Sequence, residues 1–149
     1  MAALMLCMII NGYFLLICRV QPSRGEGWGR PMQEAMACGT PVIATNWSGN
    51  TAFMNDKNSW LVRIDGMERV GEGSFKDHMW AVPSKTDLRE IMRTVSNNPE
   101  EVQQRITQAR SDMQQLYSLD AIAARVTQRL SEINAIIASR SHDIIHDEL

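Results

Sequence analysis

One stretch constrains the fold of this chain more than any other. Residues 22–49, PSRGEGWGRPMQEAMACGTPVIATNWSG, read as a loop, a helix and a buried strand in succession. The apolar run FLLICRVQPS leads into the loop and reads as a strand of its own. Pro31 starts the helical PMQEAMAC, because its fixed φ and missing N–H suit a first helical position, and Gly39 ends it as a C-cap. PVIAT is short, apolar and β-branched between turn signals, which is the pattern of a strand buried on both faces. Two strands joined through a helix pair in parallel. The expectation is therefore an α/β fold: a partial Rossmann-like domain with a short parallel sheet.

Further along, NDKN at residues 55–58 reads as a turn and SWLVRI as a third strand. Residues 65–83 scatter glycines and charges without a period and read as a loop excursion. The remainder is helical by count, giving several C-terminal helices. Ser84 and Asp87 form a capping box ahead of Leu88, Ile91, Met92 and Val95, which fall at i, i+3, i+4, i+7. Asn98, Pro99 and Glu101 open a second helix with Val102, Ile106, Ala109, Met113 and Leu116 on one face. Ser118 caps a third, striped by Leu119, Ile122, Val126, Ile133 and Ile137. All three stripes are expected to face the core.

Length and charge narrow the function. A chain of 149 residues, 44% hydrophobic, suits one compact domain. Fifteen basic against 17 acidic residues leave a net charge of −2 with no basic stripe, so nucleic acid is not an expected partner. Cys7, Cys18 and Cys38 are odd in number and sit among apolar residues, as small buried hydrophobes do.

Both ends carry possible address signals. Residues 1–20 are an apolar segment without a basic leader, readable as a signal or anchor or as a buried strand over Tyr13 to Val20. Residues 141–149 form a tail ending in His146-Asp147-Glu148-Leu149, a tetrapeptide that returns soluble proteins to the endoplasmic reticulum. If both signals act, the chain resides in that lumen or membrane; otherwise it is cytoplasmic. His142 and His146 have ligand spacing but no third ligand nearby, and no metal is predicted.

The loop itself points to an anion. Gly25, Gly27 and Gly29 allow positive φ and let successive N–H groups converge just before a helix N-terminus, where a phosphate or diphosphate is favoured. Arg24 and Arg30 flank it and could add charge-assisted bonds. Glu26 and Glu34 make sense there if the ligand carries hydroxyls on both sides of its phosphates, as a nucleotide sugar does. Taken singly, Glu26 also reads as a solvated loop charge and Glu34 as a first-turn residue favoured by the helix dipole.

Residues 22–49 resemble the donor-binding signature of the retaining glycosyltransferases grouped as glycosyl transferase family 1 domains, the family 4 type with the GT-B fold. Glu26 and Glu34 keep that family's spacing of seven intervening residues, and Glu34-Ala35-Met36-Ala37-Cys38-Gly39-Thr40-Pro41-Val42 matches its EAMA-G-PV run. Weaker similarity reaches to about Gln128. The resemblance implies that Gly25, Glu26, Gly27, Trp28, Gly29, Arg30 and Glu34 bind the donor, with Glu26 on the sugar hydroxyls as the catalytic residue and Glu34 on the ribose. It also implies an unknown glycosyl acceptor and no metal or other cofactor, since the leaving diphosphate helps deprotonate the acceptor and catalysis rests on positioning and charge stabilisation.

A GT-B enzyme carries its acceptor site in an N-terminal domain, for which the residues before Pro22 leave no room. The expectation is therefore that residues 21–140 form the C-terminal half of a donor-binding domain. Either it is a transferase part that acts only with upstream sequence or a partner subunit, or it is a non-catalytic truncated product that at most binds a nucleotide sugar.

Overall fold

A computed structural model of the chain describes the backbone of residues 4–10 and 13–146 and the side chains of residues 18–139. The last three residues of the tail tetrapeptide, the side chains of His142 and His146, and that of Cys7 lie outside the described residues. The chain divides into two compact units, Met1–Met113 and Gln114–Leu149.

In the first unit, strands β1 (Leu4–Ile10) and β2 (Tyr13–Gln21) pair antiparallel, with Leu4 opposite Val20 and Ile10 opposite Tyr13. The described backbone ahead of Tyr13, Leu4–Ile10, is thus a strand. Helix α1 (Arg30–Ala37) connects β2 to β3 (Val42–Thr45), and a short 3₁₀ turn (Gly49–Ala52) precedes β4 (Trp60–Val62). The sheet order is β1-β2-β3-β4, with β2, β3 and β4 mutually parallel. This is the short parallel sheet of a partial Rossmann-like domain.

Helix α1 ends as its sequence predicts. Gly39 takes φ +77 just past the helix, its N–H bonds Met36 O at 3.0 Å, and Thr40 N–H bonds Ala35 O at 2.9 Å, a Schellman closure. Met32 and Met36, four residues apart on one face, are fully buried along with Val42 and Ala44 of β3. Beyond β3, Lys57 N–H bonds the Asn55 side chain and Asn55 N–H bonds that of Asn58, closing the NDKN turn.

Residues 65–83 are more ordered than their sequence suggests. Strands β5 (Ile64–Arg69) and β6 (Met79–Pro83) pair antiparallel as a hairpin, with an irregular register between Ile64 and Gly66. That irregularity and the glycines break the alternation by which a strand is recognised. Helices α2 (Lys85–Asn97) and α3 (Pro99–Tyr117) follow. Cys18, Ile43, Trp60 and Val62 form a core cluster over which Val20, Leu88, Ile91, Val95 and Val102 pack. Met92, expected in that stripe, is exposed.

The capping box at Ser84 does not form. Ser84 is buried and its side chain makes no cap bond, while the Asp87 carboxylate accepts from Arg63 N–H at 2.8 Å. A long-range backbone donor has taken the acidic partner that the local motif would use.

The second unit holds the end of α3 and helix α4 (Leu119–His146). Ser118 Oγ accepts from Ala121 N–H at 3.2 Å, so the expected N-cap is present. The stripe it was to lead into the core is not buried: Leu119, Ile122, Val126, Leu130, Ile133, Ile136 and Ile137 are all exposed. Among the described residues, no helix is long and apolar enough to cross a membrane.

Candidate functional site

The glycine loop joins β2 to α1 at the C-terminal ends of the parallel strands, the edge where open α/β sheets bind ligands. Three residues of one segment, the end of β3 and the turn after it, anchor it. Thr45, at the end of β3, donates its hydroxyl to Ser23 O at 2.6 Å. Ser48 Oγ donates to Glu26 O at 2.7 Å and accepts from Glu26 N–H at 3.1 Å, so one hydroxyl holds both faces of the Glu26 backbone. Gly49 N–H adds a bond to Glu26 O at 3.0 Å.

This clamp carries strain. Ser48 sits at φ 77 and ψ −157, a conformation that disfavours any side chain and that its two hydroxyl bonds help to hold. Gly49 is required for space: a Cβ there would lie 2.2 Å from Gly27 O and 2.5 Å from Gly27 C.

The three loop glycines do not share one role. Only Gly29 takes positive φ, at +94, and a Cβ on it would stand 3.2 Å from the Asn50 Cβ. Gly25 and Gly27 lie outside the left-handed region, and a Cβ at either meets nothing within 4 Å. The expectation of positive φ at all three is therefore corrected to one. At Gly27 the constraint is borne by the opposing residue, Gly49.

Glu26 is half-buried, and its Oε1 accepts from Gln21 Nε2 at 2.7 Å. Its Oε2 has no partner among the described residues, so one oxygen is held and the other is available to a ligand hydroxyl. Glu34 lies four residues into α1, one turn from the start, exposed, with Oε1 3.6 Å from Arg30 Nη2. It is not in the first turn, which holds no acidic residue, so the dipole explanation for this glutamate is withdrawn. An exposed pair of this kind contributes little to stability and leaves both groups free to rearrange around a ligand.

The two arginines also separate. Arg30 is exposed beside the helix start. Arg24 instead turns to the hairpin: Nη2 bonds Glu68 Oε2 at 2.7 Å, Nε bonds Ala81 O at 3.1 Å, and the guanidinium lies 5.6 Å from the Trp80 ring centre. With Ala81 N–H bonding Arg24 O at 3.1 Å, Arg24 ties the loop to β6, which corrects its expected place on the anion.

Trp28 is partly exposed, packs against Phe53 at 5.3 Å between ring centres, and donates Nε1–H to Gln33 Oε1 at 2.8 Å. At the helix start, Pro31 has no N–H, and those of Met32 and Gln33 both bond Gly29 O. Arg30 N–H has no partner among the described residues and remains as a donor for an anion.

Asn50, fully buried, donates Nδ2 to Thr45 O at 2.9 Å, while its Oδ1 is buried without a partner among the described residues. No local signal singles out Gln21, Thr45 or Ser48, whose partners lie on other segments; Asn50 stands out only as a departure from the pattern of the family that residues 22–49 resemble.

The cysteines divide as well. Burial pushes the Cys18 thiol up to about 12, partly offset by a backbone hydrogen bond from Ile43. Cys38, expected to be buried, is exposed at the end of α1. Neither belongs to the loop. Among the described residues no three His, Cys, Asp or Glu side chains gather as a metal centre would need.

Against known proteins, the profile of the family Glycosyl transferases group 1 matches residues 13–112, about two thirds of the chain, from β2 to within α3. A D-inositol 3-phosphate glycosyltransferase of Jonesia denitrificans is 38% identical over 72 residues, which is 48% of this chain and 16% of that relative's length.

Proposed function

The chain belongs to the group 1 glycosyl transferases, and on that premise we propose that its glycine loop binds a nucleotide-diphosphate sugar for retaining transfer of the family 4 type. The observation that carries the reading is the divided state of Glu26. Its backbone is fixed by Ser48 and Gly49, one carboxylate oxygen is held by Gln21, and the other is left unpaired at the ligand-binding edge of the sheet. A carboxylate so placed accepts hydrogen bonds from sugar hydroxyls and remains fixed as charge develops on the sugar. The diphosphate lies against the Arg30 amide at the start of α1, with the Arg30 side chain beside it, and Glu34, one turn on, takes the ribose hydroxyls. No resident cofactor enters this scheme.

In this reading residues 21–140 are a donor-binding half, and the 149-residue chain binds the donor without transferring the sugar, because the acceptor is recognised elsewhere. Titration calorimetry with UDP-glucose, GDP-mannose and ADP-glucose, each beside its bare nucleoside diphosphate, tests the assignment. Glu34→Ala weakens nucleotide and nucleotide sugar alike, by roughly 1.5–3 kcal/mol for a lost charged hydrogen bond. Glu26→Ala weakens only the nucleotide sugars. Equal losses of nucleoside diphosphate binding for the two variants would reverse the sugar-to-ribose polarity, and metal-independent sugar transfer by the purified chain would show that it is a complete enzyme.

A further inference from the structure

We infer that Gln21, aimed by Arg19, is a positioning residue that sets the Glu26 carboxylate for the donor sugar, an inference that rests on the proposed donor site. Arg19 and Gln21 are alternate residues near the end of β2, so both project from the same face of the strand, opposite the face on which Cys18 and Val20 join the core. Arg19 donates from Nε at 3.0 Å and from Nη2 at 2.8 Å to the single oxygen Gln21 Oε1. Gln21 Nε2 then donates to Glu26 Oε1 at 2.7 Å.

The order of this relay is dictated by charge. A carboxamide has one accepting end and one donating end, and guanidinium can only donate while carboxylate can only accept. Reversing the Gln21 amide would set its NH₂ against two arginine donors and its oxygen against the Glu26 carboxylate, so both ends would repel. The two Arg19 bonds therefore fix which way Gln21 points, and Gln21 in turn fixes Oε1 of Glu26. A direct Arg19–Glu26 ion pair would bind the same carboxylate more strongly and neutralise it. The interposed neutral amide holds the group in place and leaves its negative charge to the ligand.

Ser48 and Gly49 grip the Glu26 backbone from the opposite chain segment, so the relay has one remaining task, the direction of the side chain. A role confined to that direction touches the sugar and not the nucleotide. This predicts a split that a merely structural residue would not produce.

The test has two arms on the full chain. In ¹⁵N-resolved NMR of the ligand-free protein, the Gln21 side-chain amide resonances move in Glu26→Gln and in Arg19→Met. Resonances unmoved in both variants overturn the relay. In calorimetry, Gln21→Ala and the near-isosteric Gln21→Met lower affinity for UDP-glucose, GDP-mannose or ADP-glucose, whichever binds the unmodified chain, by about tenfold, with the bare diphosphate within about twofold. Arg19→Met shows the same split more weakly, and Arg19→Lys, which keeps a donor for Oε1, restores most of it.

Equal loss for nucleotide and nucleotide sugar makes Gln21 structural and overturns the inference, as does no loss in either. If Glu26→Ala is selective for the nucleotide sugar while the Gln21 variants are not, the donor site stands and this inference alone fails. If the unmodified chain binds none of the three donors or their diphosphates, the donor-site reading fails and takes the role of Gln21 with it.

Discussion

Helices α1 and α4 carry the same kind of apolar stripe and meet opposite fates. In α1, Met32 and Met36 are fully buried, because the strands on either side of it in the chain pair with each other and draw the connecting helix onto their sheet. In α4 the stripe from Leu119 to Ile137 is exposed, Leu119 at 87%. The amphipathic pattern marks which face of a helix needs cover. Whether cover arrives depends on what the neighbouring segments build, and α1, flanked by two strands that pair with each other, is supplied with it.

The same contrast can be broken or sharpened by substitution. The largest effect is expected where the covered region is tightest. Gly49→Ala places a Cβ 2.2 Å from a backbone oxygen, so the Ser48–Glu26 clamp must open, at a cost of about 3 kcal/mol or more in urea denaturation. Gly27→Ala, on the other side of the same contact, should change stability by less than about 0.5 kcal/mol, since open space surrounds its Cβ position. Equal stability of the two variants would mean that the loop is not clamped as described.

Next comes Met36→Ala, which empties a fully buried site under α1 and should cost roughly 2–3 kcal/mol by the same measurement. A loss under about 0.5 kcal/mol would place α1 with α4, as a helix whose stripe is not packed.

A smaller slope is expected at alkaline pH, where the change is spread over a titration window. Cys18 has its folded value raised from 9.0 to about 12, so the folded thiol stays protonated where the unfolded one ionises. The unfolded state then binds fewer protons, and stability falls as pH rises from about 9 to about 12, by at most about 1.4 kcal/mol per pH unit, with no contribution below that window. Cys18→Ala should flatten this slope in denaturation curves taken across the window. In the native protein at neutral pH, iodoacetamide should label Cys38 and spare Cys18, as read by mass spectrometry of the peptides.

The smallest effect is expected on α4. Ile133→Ser removes an exposed methyl-rich side chain and should shift the denaturation midpoint by less than about 0.5 kcal/mol equivalent, against the multiple of that at Met36. A loss as large as that of Met36→Ala would show that the α4 stripe is covered in solution.

Much of the fold could be read from short-range signals. Pro31 and Gly39 bracket α1 to within a residue, Ser118 caps α4, and the β-branched run at Val42 to Thr45 is a strand, because each depends on φ preferences and bonds a few residues apart. The hairpin over Ile64 to Pro83 was not legible, since its irregular register destroys the alternation by which strands are recognised. The capping box at Ser84 was legible and misleading: Asp87 satisfies a backbone donor 24 residues away.

For the site, the sequence by itself determined the loop's place between β2 and α1 and its membership in the glycosyl transferase family, because glycines, glutamates and the following strand recur at fixed local spacings. The tertiary structure decided how the loop is held. The bonds from Glu26 to Ser48 span 22 residues and the pair of Arg24 with Glu68 spans 44, so no local spacing encodes them. It also decided that Arg24 serves the hairpin, that Gly49 carries the steric demand at Gly27, and that the Glu26 carboxylate is held by one oxygen only. Each depends on which segments the parallel sheet brings side by side, and that follows from strand pairing, which forms between segments far apart in the chain.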